Sequence, residues 1–85
     1  MDTRERSYRG ISHRAAVGYL ENLGGQRVDD ATVEGDGWRA TLEAEKVSVG
    51  ATLKLTEVTV RFEGEPDTLE RVIERFSQKA VRAGG

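Results

Sequence analysis

The residues that could do chemistry in this chain are few and scattered. One histidine, His13, stands beside Arg14. An imidazole acting as a general base needs a positioned partner. No nucleophile lies near it in sequence, so His13 is read as a solvated residue in the first turn of a helix. Asp29-Asp30 supplies two carboxylates, the beginning of a divalent-cation site. Hard cations want several more oxygens, and the pair is read as turn chemistry. The glycine segments Gly24-Gly25 and Gly35-Asp36-Gly37 are not followed by Gly-Lys-Ser/Thr. Neither opens a helix after a strand, as phosphate loops and dinucleotide fingerprints require. The serines and threonines have no base at a recognised catalytic spacing. There is no cysteine, which excludes disulfides, thiolate metal sites and cysteine nucleophiles. With a single histidine, a histidine-based metal cluster is not expected either. The expectation is a protein with no catalytic residue, no metal ligand set and no cofactor, and not an enzyme.

Charge narrows the partners. The net charge is −2, with 33% of residues charged. Residues 1–14 carry Arg4, Arg6, Arg9 and Arg14 against Asp2 and Glu5, and the remainder is net acidic. Arginine outnumbers lysine, a usage that fits a GC-rich or salt-adapted genome. The N-terminal arginines with Tyr8 are the one basic-aromatic patch. A sheet that binds RNA needs stacking aromatics on its open face. Alternation here puts Trp38 and Phe62 on the core side. The opposite side carries Arg39, Glu43, Glu45, Glu57, Thr59, Arg61 and Glu63. That acidic excess repels phosphates, so nucleic acid is not an expected partner. No apolar run approaches membrane-spanning length. Met1 to Arg9 is charged and has no apolar centre, unlike a signal peptide. The cytoplasm is the expected location.

The elements that must position these residues follow from periodicity. Residues 3–9 predict a polar edge strand leading to Gly10. Ser12 then offers a side-chain oxygen as an N-cap, and Ile11 and Ala16 sit where a hydrophobic staple would. Ala16, Tyr19, Leu20 and Leu23 share one helical face, while Gly18 falls on the other. Gly24-Gly25 stops the helix. Residues 27–63 read as strands. Val28 and Val33 belong to a segment broken at Asp29-Asp30, and Gly35-Asp36-Gly37 is the strongest hairpin signal in the chain. Trp38, Ala40, Leu42 and Ala44 alternate with polar residues. Val47, Val49, Leu53 and Leu55 continue in the opposite phase, with Gly50 as a turn. Val58, Val60 and Phe62 change phase again, which predicts bulges or turns near Glu45-Lys46 and Thr56-Glu57. Pro66 marks the entrance of a last helix, and Asp67 with Glu70 has capping-box spacing. Its apolar stripe is Leu69, Val72, Ile73, Phe76, Ala80 and Ala83.

These elements predict one α+β domain spanning residues 1–85. The expected order is β-α-β(3–4)-α, with four to five antiparallel strands and both helices on one face. The order is that of the TATA-box-binding-protein-like or helix-grip architecture, an analogy that carries no function by itself. Trp38, Leu42, Val58, Val60 and Phe62 should meet Leu20, Leu23, Leu69, Ile73 and Phe76. A helix-grip sheet can curl around a ligand, and Ala40, Ala44 and Ala51 could leave space for one. The alternative is that these alanines simply pack under the helices.

The chain ends Gln78-Lys79-Ala80-Val81-Arg82-Ala83-Gly84-Gly85. A terminal Gly84-Gly85 matches the tail of ubiquitin-like sulfur carriers and modifiers, whose slim end threads into an activating enzyme before its carboxylate is adenylated. In those proteins the tail follows the last strand of a β-grasp sheet; here it follows a helix, where Gly84 also suits a C-cap. Together with Arg9-Gly10-Ile11-Ser12, Leu20-Glu21-Asn22-Leu23-Gly24-Gly25 and Val33-Glu34-Gly35-Asp36-Gly37-Trp38, this ending resembles a small family from halophilic archaea. That family is similar in layout to the accessory C-terminal domain of proteins related to the small, sulfur-carrying subunit of molybdopterin synthase. The resemblance implies a non-enzymatic accessory or interaction domain in molybdenum-cofactor or sulfur-carrier metabolism, with a protein partner. It brings no catalytic residues to carry over. Two other readings stay open: a small-molecule-binding helix-grip domain, and a modifier or sulfur carrier acting through Gly84 and Gly85. Monomer and homodimer are both compatible with the sequence.

Overall fold

The long alternating run after Trp38 builds the centre of the sheet. The structure, a computed structural model, describes the backbone of residues 1–84 and the side chains through Val81. Seven elements follow one another: β1 (Asp2–Arg9), α1 (His13–Asn22), β2 (Gln26–Asp29), β3 (Thr32–Gly35), β4 (Trp38–Ser48), β5 (Lys54–Gly64) and α2 (Pro66–Gly84). The strands form one five-stranded sheet in the order β1-β5-β4-β3-β2, and every neighbouring pair is antiparallel. The α+β class, the strand number and the element order are those the sequence predicts. The first strand is an edge, as its polar residues require.

Both helices cover one face. From α1 come Ala16, Val17 and Leu20; from α2 come Leu69, Val72, Phe76 and Ala80. They bury Val33, Trp38, Ala40, Leu42, Val58, Val60 and Phe62 of the sheet. Phe76 sits at the junction, with its ring edge-on to Tyr8 (4.9 Å), Phe62 (5.9 Å) and Tyr19 (6.1 Å). Tyr19, Leu23 and Ile73 pack partly buried against this cluster. Val17, outside the predicted stripe, is buried as well.

Local signals set the helix ends. The Ala15 N–H donates to the Ser12 hydroxyl at 3.0 Å, fixing the start of α1. Gly24 takes φ +97°, and its N–H and that of Gly25 close on the carbonyls of Glu21 and Leu20. The Asp36-Gly37 pair makes the two-residue β3–β4 turn, with Gly37 at φ +82°.

Three expectations are corrected. The phase changes along β4 and β5 are not bulges: the register runs unbroken from Trp38↔Gly64 to Ser48↔Lys54. Val47 and Leu55 are a directly opposed pair, and strand alternation in this unbroken register turns them away from the helices. The register shift that does occur is in β2, between Arg27 and Asp29. Asp67 and Glu70 do not cap α2. The helix starts at Pro66, which needs no N–H partner in that position, and Asp67 lies inside the first turn. Ala44 and Ala51 are exposed, so of the three alanines only Ala40 lies beneath the helices. The Ala83 end of the predicted stripe lies outside the described side chains.

Candidate functional site

The candidate residues end up in different places. His13 begins α1 and shares a surface hollow with Arg14, Gly18, Glu21 and Arg27. Asp29 ends β2 opposite Thr32, and Asp30 opens the two-residue turn to β3. The Ala31 N–H donates to Asp29 Oδ1 at 2.8 Å. That bond, with smaller help from the Thr32 hydroxyl, lowers the Asp29 pKa below the usual carboxylate value. Asp30 pairs with Arg27 at 2.9 Å. The N-terminal arginines separate by strand alternation. Arg4 and Arg6 sit opposite Phe62 and Val60, on the helix side, whereas Arg9 lies opposite Glu57 and bonds it at 2.8 Å. Tyr8 is drawn inward, its phenol 2.8 Å from the Ser77 hydroxyl. Burial raises the Tyr8 pKa more than the Ser77 bond and nearby Arg6 lower it. The helix α2 continues through Gly84, and Gly85 lies outside the described residues.

Two features were not legible as sites. One is a cleft of about 250 Å³ where α1 ends, the β3–β4 turn passes and α2 begins. It is lined by Leu23, Gly24, Asp36, Trp38, Thr68, Arg71, Val72 and Arg75. Tight packing builds it. The Trp38 ring lies so close over Gly35 and Gly25 that a Cβ at either position would collide with it. The Glu65 N–H donates to the Gly37 carbonyl at 3.3 Å, holding the entrance of α2 against the turn. Thr68 is beside Gly37. Arg71 and Arg75, one helical turn apart, flank the opening. Arg4, Arg9, Arg27 and Arg39 each pair with a carboxylate. No such pair holds Arg71 or Arg75 among the described residues. The space beneath the helices that the ligand-binding alternative would need is filled by Leu20, Phe62, Leu69 and Phe76, and this opening lies at the rim.

The second feature is the free end of the β4–β5 hairpin. Pairing with β1 stops at Arg9↔Glu57, and pairing with β3 stops at Thr32↔Thr41. One further bond holds each side, from the Gly10 N–H to the Thr56 carbonyl and from the Leu42 N–H to the Ala31 carbonyl; beyond these the two strands pair with each other, and the Val49 N–H closes the ribbon on the Leu53 carbonyl at 3.0 Å. Val47 and Leu55 share its face away from the helices, and Val49 and Leu53 stand at its tip. Val49 is 40% and Leu53 58% exposed.

The architecture is that of a small α+β domain: two helices on one face of an antiparallel sheet, with an arginine-flanked cleft at the rim and an apolar-tipped hairpin. The chain belongs to the family of archaeal MoaD-like proteins, whose model matches residues 4–85. That membership gives it, at a coarse level, a role related to molybdopterin and sulfur-carrier chemistry. No curated protein matches the chain. Among the described residues, no helix is long and apolar enough to cross a membrane, and no group of three His, Cys, Asp or Glu side chains is placed to hold a metal ion.

Proposed function

We propose that this protein is a non-enzymatic accessory domain that docks onto a protein of molybdenum-cofactor or sulfur-carrier metabolism in the cytoplasm. The observation that carries the reading is the hairpin end, where aliphatic Val49 and Leu53 stand in solvent. Exposed apolar side chains gathered at one tip mark an interaction surface. Kinship with the accessory domain of proteins related to the molybdopterin-synthase small subunit, a halophilic origin and a helix-grip ancestry belong to the same proposal. The kinship is supported by family membership and the helix-grip ancestry by the element order; the halophilic origin rests on the sequence resemblance alone. The test is capture from native lysate by the full chain, read by mass spectrometry. An activating enzyme, carrier or cofactor enzyme should be recovered, and should be lost with a Val49→Asp, Leu53→Asp variant. Recovery of none of these sinks the reading.

A second reading is favoured by one fact: the family match runs to residue 85 and so includes Gly84-Gly85. In this reading the tail carboxylate attacks ATP and releases pyrophosphate, and sulfide-level sulfur from a donor then displaces AMP to leave a thiocarboxylate. Intact mass after incubation with ATP, a cognate activating enzyme and sulfide separates the two. An adenylate or thiocarboxylate that disappears when Gly85 is deleted supports the carrier. An unchanged mass, where a known carrier is charged, supports the accessory domain.

A further inference from the structure

We propose that the rim cleft between Trp38 and α2 binds a small organic anion with a flat apolar body. The inference is independent of the partner reading above, because it concerns another surface of the molecule. The cleft has two chemically different parts. Leu23, Trp38 and Val72 form an apolar floor, and Trp38 is only 6% exposed although it lines the opening. Arg71 and Arg75 line the same cleft and make no ion pair among the described residues. Against their two positive charges the lining holds one carboxylate, Asp36. Guanidinium is a planar, weakly hydrated donor that binds carboxylate and phosphate through paired N–H groups and lies well against aromatic rings. Thr68 adds a hydroxyl at the same rim. The volume, about 250 Å³, is below that of sites for drug-sized ligands. It suits one ring with one anionic group.

Carboxylate and phosphate share this chemistry, so the experiment uses one probe of each. Trp38 is the single tryptophan, and its fluorescence reports occupancy directly. Phenyl phosphate and benzoate are titrated against the full chain, with inorganic phosphate and phenol as the two halves of the proposed ligand. At least one aromatic anion should give a saturable change, tighter than either half. The preferred probe assigns phosphate or carboxylate. Arg71→Ala with Arg75→Ala should weaken binding about tenfold or more, the loss expected for a charge-assisted contact. Both arginines are exposed, and alanine favours a helix. Arg14→Ala, on the other helix, should leave binding unchanged. Asp36→Asn removes the opposing charge and keeps a favoured hairpin pair, so it should tighten binding. No saturable change with either anion, equal binding by the arginine double variant, or phenol binding as well as phenyl phosphate overturns the proposal. So does weaker binding by Asp36→Asn.

Discussion

The two ends of the β4–β5 hairpin share one register and differ in almost everything else. At the inner end, Ala40, Leu42, Val60 and Phe62 lie under both helices and are buried. At the outer end, Ala44, Lys46, Ser48 and Lys54 occupy the same side of the same strands and are exposed. The apolar residues there, Val47 and Leu55, point the other way. The 42 Å long axis, against 23 and 21 Å, is that of an elongated molecule. Strand pairing therefore does not decide what is core. Coverage by α1 and α2 does, and the uncovered end is left for other business.

If that comparison is right, the largest losses come from the covered end. Phe76→Ala removes the ring on which Tyr8, Tyr19 and Phe62 converge. It should cost about 3–5 kcal/mol in urea unfolding, as for other buried aromatic truncations. A loss under about 1 kcal/mol would mean the helix layer is loosely packed. Gly25→Ala comes next. Its Cβ would meet Val33, the Trp38 ring and the Leu20 carbonyl, all within 3 Å. Overpacking of this kind should cost about 1–3 kcal/mol, and it should perturb Trp38 fluorescence because the ring must shift.

Ser12→Ala should cost about 1 kcal/mol, the usual worth of an N-cap oxygen. Thermal melts followed by circular dichroism measure it. Tyr8 gives a smaller, pH-dependent effect at the boundary between covered sheet and edge. Its folded pKa is raised, chiefly by burial. The native state thus keeps the phenolic proton to higher pH than the unfolded chain. That part of stability is fully present below about pH 10, the unfolded value. It is lost as pH rises through the folded value. Urea midpoints from about pH 9 to pH 11 should fall in the wild type. The part of that slope belonging to Tyr8 should vanish in Tyr8→Phe. The smallest effect belongs to the overhang. Leu53→Ser should change stability by no more than about 0.5 kcal/mol, as at exposed sites without special contacts. A large loss there would show that the hairpin end supports the fold, and would remove the contrast between the two ends.

Much of this molecule is written locally. Ser12 starts a helix because a side-chain oxygen meets free N–H groups. Gly24 ends it because a left-handed residue costs glycine nothing, and Asp36-Gly37 turns the chain for a related reason. Trp38 to Leu42 and Val58 to Phe62 alternate because one face of their strands is buried. Each of these depends on neighbours a few residues away, so the sequence alone determines it. The tertiary structure decided the rest. An apolar pattern reports which side of a strand is shielded, not whether the backbone changes phase. Val47 and Leu55 read as bulged because their apolar side is the one the helices never cover. The cleft was equally hidden: Leu23-Gly24, Asp36, Trp38 and Thr68 to Arg75 come from three distant stretches. Only the docking of α2 against the β3–β4 turn brings them to one rim, and no spacing along the chain encodes a distance that packing sets.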